Sequence, residues 1–277
     1  MKSFLISICL LLVLGSSAFA QNDIHSIDFK NYSYSAFCAG DEPESLTVKN
    51  GEFSKETPHD GYVDRLYFVV TDVAYGDLNG DKRDEAIVLT VCNTGGTGNF
   101  SEGFVFTMKG AKATIASRIP GGDRAYGGLR TTRVENGLLI VDSNDPGKNG
   151  AACCPELIMT TTYKLVGNKL TKVGKPTSRD IYPTERVTFA KGMSGKTFRV
   201  TIPEEEGRRY IIGARVGQTL TVTVDTDQAS LRLLGDVEVK FGVNNFVVKL
   251  PTTGDFTIEL QNNSSGPLPV TVGIKIQ

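Results

Sequence analysis

Along most of the chain apolar and polar side chains alternate with a period of two, and clusters of Gly, Asn, Asp and Pro break the alternation at short intervals. Residues 67–70, 73–75, 86–91, 103–108, 113–119, 129–134, 138–141 and 157–166 are rich in β-branched and aromatic residues and predict strands. Turn clusters lie between them at 93–99, 120–123 and 145–150, and Asn136-Gly137 and Gly167-Asn168 predict two-residue hairpin turns. Residues 46–53 predict a further hairpin around Asn50-Gly51, while 24–34 carry mixed spacing that suits a short strand or a poor helix. This part of the chain therefore predicts an antiparallel meander with at most one helix.

A second regime begins after Lys175-Pro176, where the pattern breaks and a linker is expected near 174–184. Nine short alternating segments follow, at 186–189, 197–202, 209–214, 219–225, 230–234, 238–241, 245–249, 255–261 and 269–276. Regular spacing of this kind predicts a β-sandwich or jelly roll. The expected fold class is mainly β: an N-terminal antiparallel β-meander domain with a calcium-type loop over 21–178, and a C-terminal β-sandwich or jelly-roll domain over 179–277.

Residues 1–20 hold Lys2, an apolar run over 4–14 and the small-residue end Ala18-Phe19-Ala20, the pattern of a secretory signal peptide cleaved after Ala20. The expected location is the periplasm or the exterior. Four cysteines then remain, Cys38, Cys92, Cys153 and Cys154, and in an exported protein an even set predicts two disulfides. A bond between neighbours closes a strained eight-membered ring, so Cys153 and Cys154 are each expected to reach a distant partner, one Cys38 and the other Cys92. A net charge of −1 offers no field for nucleic acid or anionic lipid, and no later stretch reaches the length of a membrane-spanning helix.

Candidate chemistry concentrates between two apolar runs, in YGDLNGDKRDEA. Asp77, Asn79, Asp81 and Glu85 stand at relative positions 1, 3, 5 and 9, which lets a tight loop turn oxygen atoms toward one centre. Oxygen-only donors suit Ca²⁺, and a solvated turn is the competing account. The spacing resembles the loop of FG-GAP (integrin-type) repeats and of dockerins, with the strand-loop-strand setting of the former. That resemblance implies the Arg83 carbonyl as a further ligand and an affinity of roughly 10⁻⁴–10⁻³ M. Lys82 departs from it, because such loops carry Gly there for a left-handed backbone. Asp123, Arg124 and Tyr126 are a further candidate ligand surface beside this loop, with a surface ion pair as the alternative. The Gly-rich stretches at 93–103 and 120–128 lack a phosphate-loop ending and predict hairpin tips.

In the second half, Phe189, Tyr210, Ala214, Gly217, Gln218, Leu220, Val222, Gly254, Asp255, Phe256 and Ile258 resemble the periplasmic inhibitor of g-type lysozyme family. The resemblance implies a β-sandwich and a protein partner, a lysozyme-like wall hydrolase. Residues 204–209, EEEGRR, are either a hairpin tip in solvent or a loop that enters such a partner's saccharide cleft. Only His25 and His59 are available for acid-base work, no Gly-x-Ser-x-Gly elbow occurs, and no catalytic residue is assigned. The function expected is an exported, non-enzymatic binding protein that inhibits a wall hydrolase; a calcium-stabilised adhesion or carbohydrate-binding accessory protein is the alternative.

Overall fold

A computed structural model describes residues 23–277 except 39, 41, 149 and 236, so the expected leader lies outside the described residues. A single 3₁₀ turn, Ile24–Ser26, precedes a small two-stranded sheet of β1 (Ser33–Ala36) and β2 (Glu44–Thr47). Next comes a five-stranded meander: β3 (Glu52–His59), β4 (Tyr62–Gly76), β5 (Glu85–Asn93), β6 (Phe100–Lys109) and β7 (Lys112–Asp123). A third sheet holds β8 (Leu129–Glu135), β9 (Leu138–Asp145), β10 (Leu157–Val166), β11 (Lys169–Lys172) and β12 (Thr177–Asp180) in the order β11-β10-β9-β8, with β12 on β10.

β5 explains how these sheets stack. Its residues Ala86, Val88 and Cys92 point into a core shared with Tyr34, Leu46, Phe68, Phe104 and Phe106. The alternate residues Ile87 and Leu89 enter a second core, with Leu129, Leu139, Val141 and Leu165 of the third sheet. The meander is thus covered on both faces, and β5 reads as a continuous apolar run rather than as alternation. Its outer strand β3 is mostly exposed, with Phe53 packing against the first core, and carries Lys55, Glu56 and Pro58.

Several local predictions meet the structure in informative ways. The segments at 67–70 and 73–75 are one strand, β4, interrupted by a bulge between Val70 and Asp72. After the bulge the Asp72 carboxylate accepts bonds from the Thr132 amide at 2.9 Å and its hydroxyl at 3.2 Å, fastening β4 to β8. Gly76 closes that contact, because a Cβ there would lie 2.5 Å from Val134. Asn50 and Gly51 do take left-handed conformations, but β2 pairs β1 and β3 pairs β4, so the expected hairpin reduces to a Lys49–Glu52 bridge. The turns at Asn136-Gly137 and Gly167-Asn168 join β8 to β9 and β10 to β11 as expected.

The remaining strands build two sheets that share a core. They are β13 (Thr184–Arg186), β14 (Gly195–Ile202), β15 (Gly207–Ala214), β16 (Thr219–Val224), β17 (Ala229–Leu234), β18 (Lys240–Phe241), β19 (Asn245–Lys249), β20 (Gly254–Asn262) and β21 (Leu268–Ile276). One sheet has the order β13-β15-β20-β17 and the other β14-β21-β16-β19-β18. Tyr210, Ile212, Ile258 and Leu260 of the first face Leu220, Val222, Phe246, Val270 and Val272 of the second. Full burial of each such aliphatic or aromatic side chain contributes roughly 1.5–3 kcal/mol, which is how this cysteine-free half holds together. The linker expected over 174–184 is corrected: Thr177–Asp180 is strand β12, hydrogen-bonded to β10, so the chain enters the sandwich from an ordered sheet.

Candidate functional site

The Asp77–Glu85 loop joins β4 to β5, and its own side chains organise it. The Asp77 carboxylate accepts from the amides of Gly80 at 2.6 Å and Lys82 at 2.8 Å. Asn79 Oδ1 accepts from the Asp81 amide at 2.8 Å, and Asp81 Oδ1 from the Arg83 amide at 2.9 Å. Both Gly80 (φ +83°) and Lys82 (φ +66°) are left-handed, so Lys82 takes the conformation for which glycine is the usual choice. Leu78 anchors the loop in the second core.

Glu85 is the unusual member. It is only 1% exposed, and its carboxylate accepts from the Leu78 amide at 2.9 Å, Asn79 Nδ2 at 2.7 Å and the Thr107 hydroxyl at 3.3 Å. Burial pushes its pKa above the ordinary glutamate value, and the nearby Asp81 and Asp77 charges push the same way. Asp77 itself is held below the usual carboxylate range: the amides of Gly80 and Lys82 outweigh a desolvation that acts in the opposite sense. The side chains that line the loop offer oxygen donors, the type that hard cations prefer. Among the described residues no three Asp, Glu, His or Cys side chains converge on one ion position, because Glu85 spends its oxygens inside the loop. Beside the loop His25 bonds Asp84 at 2.9 Å and stacks on Tyr75 with ring centroids 4.2 Å apart. His59 pairs with Asp64 instead, against Tyr62 at the tip of the β3–β4 hairpin.

The expected partnership of Asp123, Arg124 and Tyr126 with this loop is corrected. Strand register places Gly76 opposite Glu85 at one end of the meander, and Cys92, Phe100 and Asp123 at the other. Arg124 grips Asp123 through both carboxylate oxygens at 3.0 and 3.1 Å, and that bond keeps the Asp123 pKa low.

The disulfide pairing is corrected as well: the bonds are Cys38–Cys92 and Cys153–Cys154. The chain after β1 lies over Cys92 on β5, with Cα atoms 5.2 Å apart, so Cys38 and Cys92 consume each other. Cys153 and Cys154 sit in a tight turn closed by the Ala151–Cys154 bridge, exposed and far along the chain from any other thiol, and they bond as neighbours.

Residues 204–209 are not a free tip, although Glu204 and Glu205 stay exposed in the turn. Glu206 is 4% exposed and takes both Arg179 guanidinium nitrogens, at 2.6 and 2.7 Å, which raises the Arg179 pKa. Arg130 donates to the Glu204 carbonyl at 3.3 Å, and the Gly207 amide donates to the Ile181 carbonyl at 3.1 Å. A Cβ at Gly207 would strike the Tyr182 ring at 2.2 Å. EEEGRR therefore clasps the front sheets to the sandwich. The opposite end of the sandwich carries the turns at 190–194, 215–218 and 250–253. The last two are tied together by the Gly217 amide on the Leu250 carbonyl (2.9 Å) and the Val216 amide on the Thr253 hydroxyl (3.0 Å). Met193 and Val216 stand 63% and 61% exposed there.

No family model matches the sequence, and no curated protein matches it. Part of the chain is distantly similar in structure to the periplasmic lysozyme inhibitors of g-type lysozyme, PliG. The Aeromonas hydrophila protein shares 21% identity over 35% of this chain and 97% of its own, at a TM-score of 0.32. That of Salmonella Typhimurium shares 20% over 34% and 98%, at 0.31, and a mutant of the Escherichia coli protein shares 18% over 35% and 99%, at 0.30. At this identity and these TM-scores the likeness says nothing about what the chain binds. Among the described residues no helix is long and apolar enough to cross a membrane.

Proposed function

We propose that this is an exported binding protein whose sandwich, residues 179–277, docks through its free end onto a lysozyme-like wall hydrolase, while residues 21–178 form a separate supporting unit. The observation that carries this is the polarity of the sandwich itself. One end is occupied by the Arg179–Glu206 clasp, and the other presents two turns braced on each other, 215–218 and 250–253, beside the 190–194 turn, with Met193 and Val216 exposed. Lys191 and Arg215 flank those two apolar residues in sequence, which makes the tip basic. Glycoside hydrolases carry paired carboxylates in their clefts, so a basic, apolar tip is complementary to them.

Strand membership supports the division. Among the described residues no strand of the two sandwich sheets begins before Thr184, and none of the front sheets extends past Asp180. The family-like positions fall on the sandwich frame: Tyr210, Ala214, Leu220, Val222, Phe256 and Ile258 lie in its core, and Gly217 (φ +83°) turns β15 into β16. Export is supported by the two disulfides, which persist in oxidising compartments. The test is lysis of cell walls by a g-type lysozyme in the presence of micromolar mature protein. Inhibition by the native chain and its loss in Val216→Asp are expected; undiminished lysis with the native chain counts against the proposal.

We also propose that Asp77, Asn79, Asp81, the Arg83 carbonyl and Glu85 take Ca²⁺, with Glu85 turning from its internal bonds to do so. The buried, acid-flanked Glu85 carboxylate supports this. Calcium at about ten times its dissociation constant is expected to add about 1.4 kcal/mol of stability. Asp81→Ala should remove that gain. A melting temperature indifferent to both Ca²⁺ and EDTA would leave the loop a hydrogen-bonded turn.

A further inference from the structure

Between the front sheets and the sandwich lies an open cleft of about 1480 Å³. Its floor is the outer face of the β13-β15-β20-β17 sheet. Register sets Arg209, Glu259 and Arg232 opposite one another across three adjacent strands, with Gln261 in the next outward row beside Ser230. Arg209 holds Glu259 at 2.8 Å and lies 4.8 Å from the centre of the Tyr182 ring. The far wall belongs to the front half and includes Arg124, Asn144 and the exposed Cys153–Cys154 turn followed by Pro155.

Three features of this cleft select a ligand class. Its charges nearly cancel: Arg124, Arg130, Arg209 and Arg232 oppose Glu156, Asp180, Glu204, Glu205 and Glu259, four against five, which favours neither a polyanion nor a polycation. Its floor strands β15 and β20 are central in their sheet, so their backbone groups are already paired and offer no edge to which a peptide could add as a strand. Its volume exceeds the roughly 300–1,000 Å³ of a pocket for one small molecule. Planar amide, guanidinium and carboxylate groups on the floor, facing an apolar disulfide and proline on the wall, match a chain of sugar rings, which present hydroxyls at their edges and C–H groups on their faces.

We propose that this cleft binds a neutral oligosaccharide, lying across the Arg209–Glu259–Arg232 row with Gln261 bonding its hydroxyls. The site is at the opposite end of the sandwich from the basic tip, so it stands or falls independently of hydrolase binding. The experiment is calorimetric titration of the full mature chain with two neutral probes, an N-acetylglucosamine tetramer and cellotetraose, beside an anionic galacturonate tetramer and an unstructured dodecapeptide. The double variant Arg232→Ala/Gln261→Ala changes exposed or half-exposed side chains, and its unchanged melting temperature verifies folding. Binding of at least one neutral tetramer, weakened tenfold or more in the variant, is the expected result. Three outcomes overturn the proposal: no heat with either neutral probe at millimolar concentration, equal affinity in native and variant chains, or binding of the peptide or the anionic tetramer alone. If the variant unfolds, Gln261→Glu, which keeps the side chain's size, replaces it, and the same tenfold loss is required.

Discussion

Replacing Phe104 with alanine is expected to lower the free energy of unfolding by about 3–5 kcal/mol, the cost of deleting a fully buried aromatic ring from a core that relaxes only in part. Phe104 lies on β6 with no solvent exposure. Its ring is 5.4 Å from that of Tyr34 and 5.9 Å from that of Phe106, and the Arg118 guanidinium stands 5.0 Å from its centre. Deleting it removes the common neighbour of the small β1–β2 sheet and the meander. Urea unfolding followed by tyrosine fluorescence measures the loss. Tyr62→Ala, at an exposed hairpin tip, is the control and should change stability by less than about 0.5 kcal/mol. A Phe104→Ala penalty no larger than that of the control would mean the first core is not organised around this ring.

The second large effect separates the two disulfides. Cys38–Cys92 joins residues 54 apart in sequence, whereas Cys153–Cys154 joins immediate neighbours. A crosslink stabilises mainly by restricting the unfolded chain, and on the loop-entropy estimate a span of this length is worth about 4 kcal/mol. The paired variant Cys38→Ala/Cys92→Ala should therefore melt far below the native protein. Cys153→Ala/Cys154→Ala should melt close to it, because no long loop is closed. Thermal unfolding of both variants under the same buffer decides the matter, and equal losses would refute the assignment of unequal roles.

Much of the architecture is legible in the sequence because strand alternation is a local property. The two-residue turns at Asn136-Gly137 and Gly167-Asn168, the long apolar run of β5 and eight of the nine segments of the sandwich can be read directly, whereas the segment expected at 186–189 forms its strand earlier, at Thr184–Arg186. What escapes is set by contacts distant in sequence. Asn50-Gly51 has the chemistry of a hairpin turn, yet β2 finds a better partner in β1, whose Tyr34 and Ala36 complete the first core. Residues 177–180 look like a linker because all four are exposed and polar, but their amides and carbonyls complete the edge of β10.

The candidate sites divide along the same line. The Asp77–Glu85 loop is visible because its candidate oxygen donors lie within nine residues of sequence. Its burial of Glu85 is not, since that depends on Thr107 of β6. The role of EEEGRR was hidden for a like reason: its acidic character suggests a solvated tip, and only the fold brings Arg179 and Arg130 to it. A signal for the cleft floor did exist. In β20 the alternation Phe256, Ile258, Leu260 leaves Glu259 and Gln261 on the other face, and a face carrying such side chains is unusual only once a second layer covers it.

The exposed outer strand of the meander has a consequence beyond the fold. β3 leaves one row of backbone donors and acceptors without a neighbouring strand, the geometry from which sheets of separate molecules grow into one another. Lys55 and Glu56 would bring their charges into any such seam, and Pro58 has no amide hydrogen to contribute to it. A second chain added along this edge would therefore meet buried charge and a missing donor.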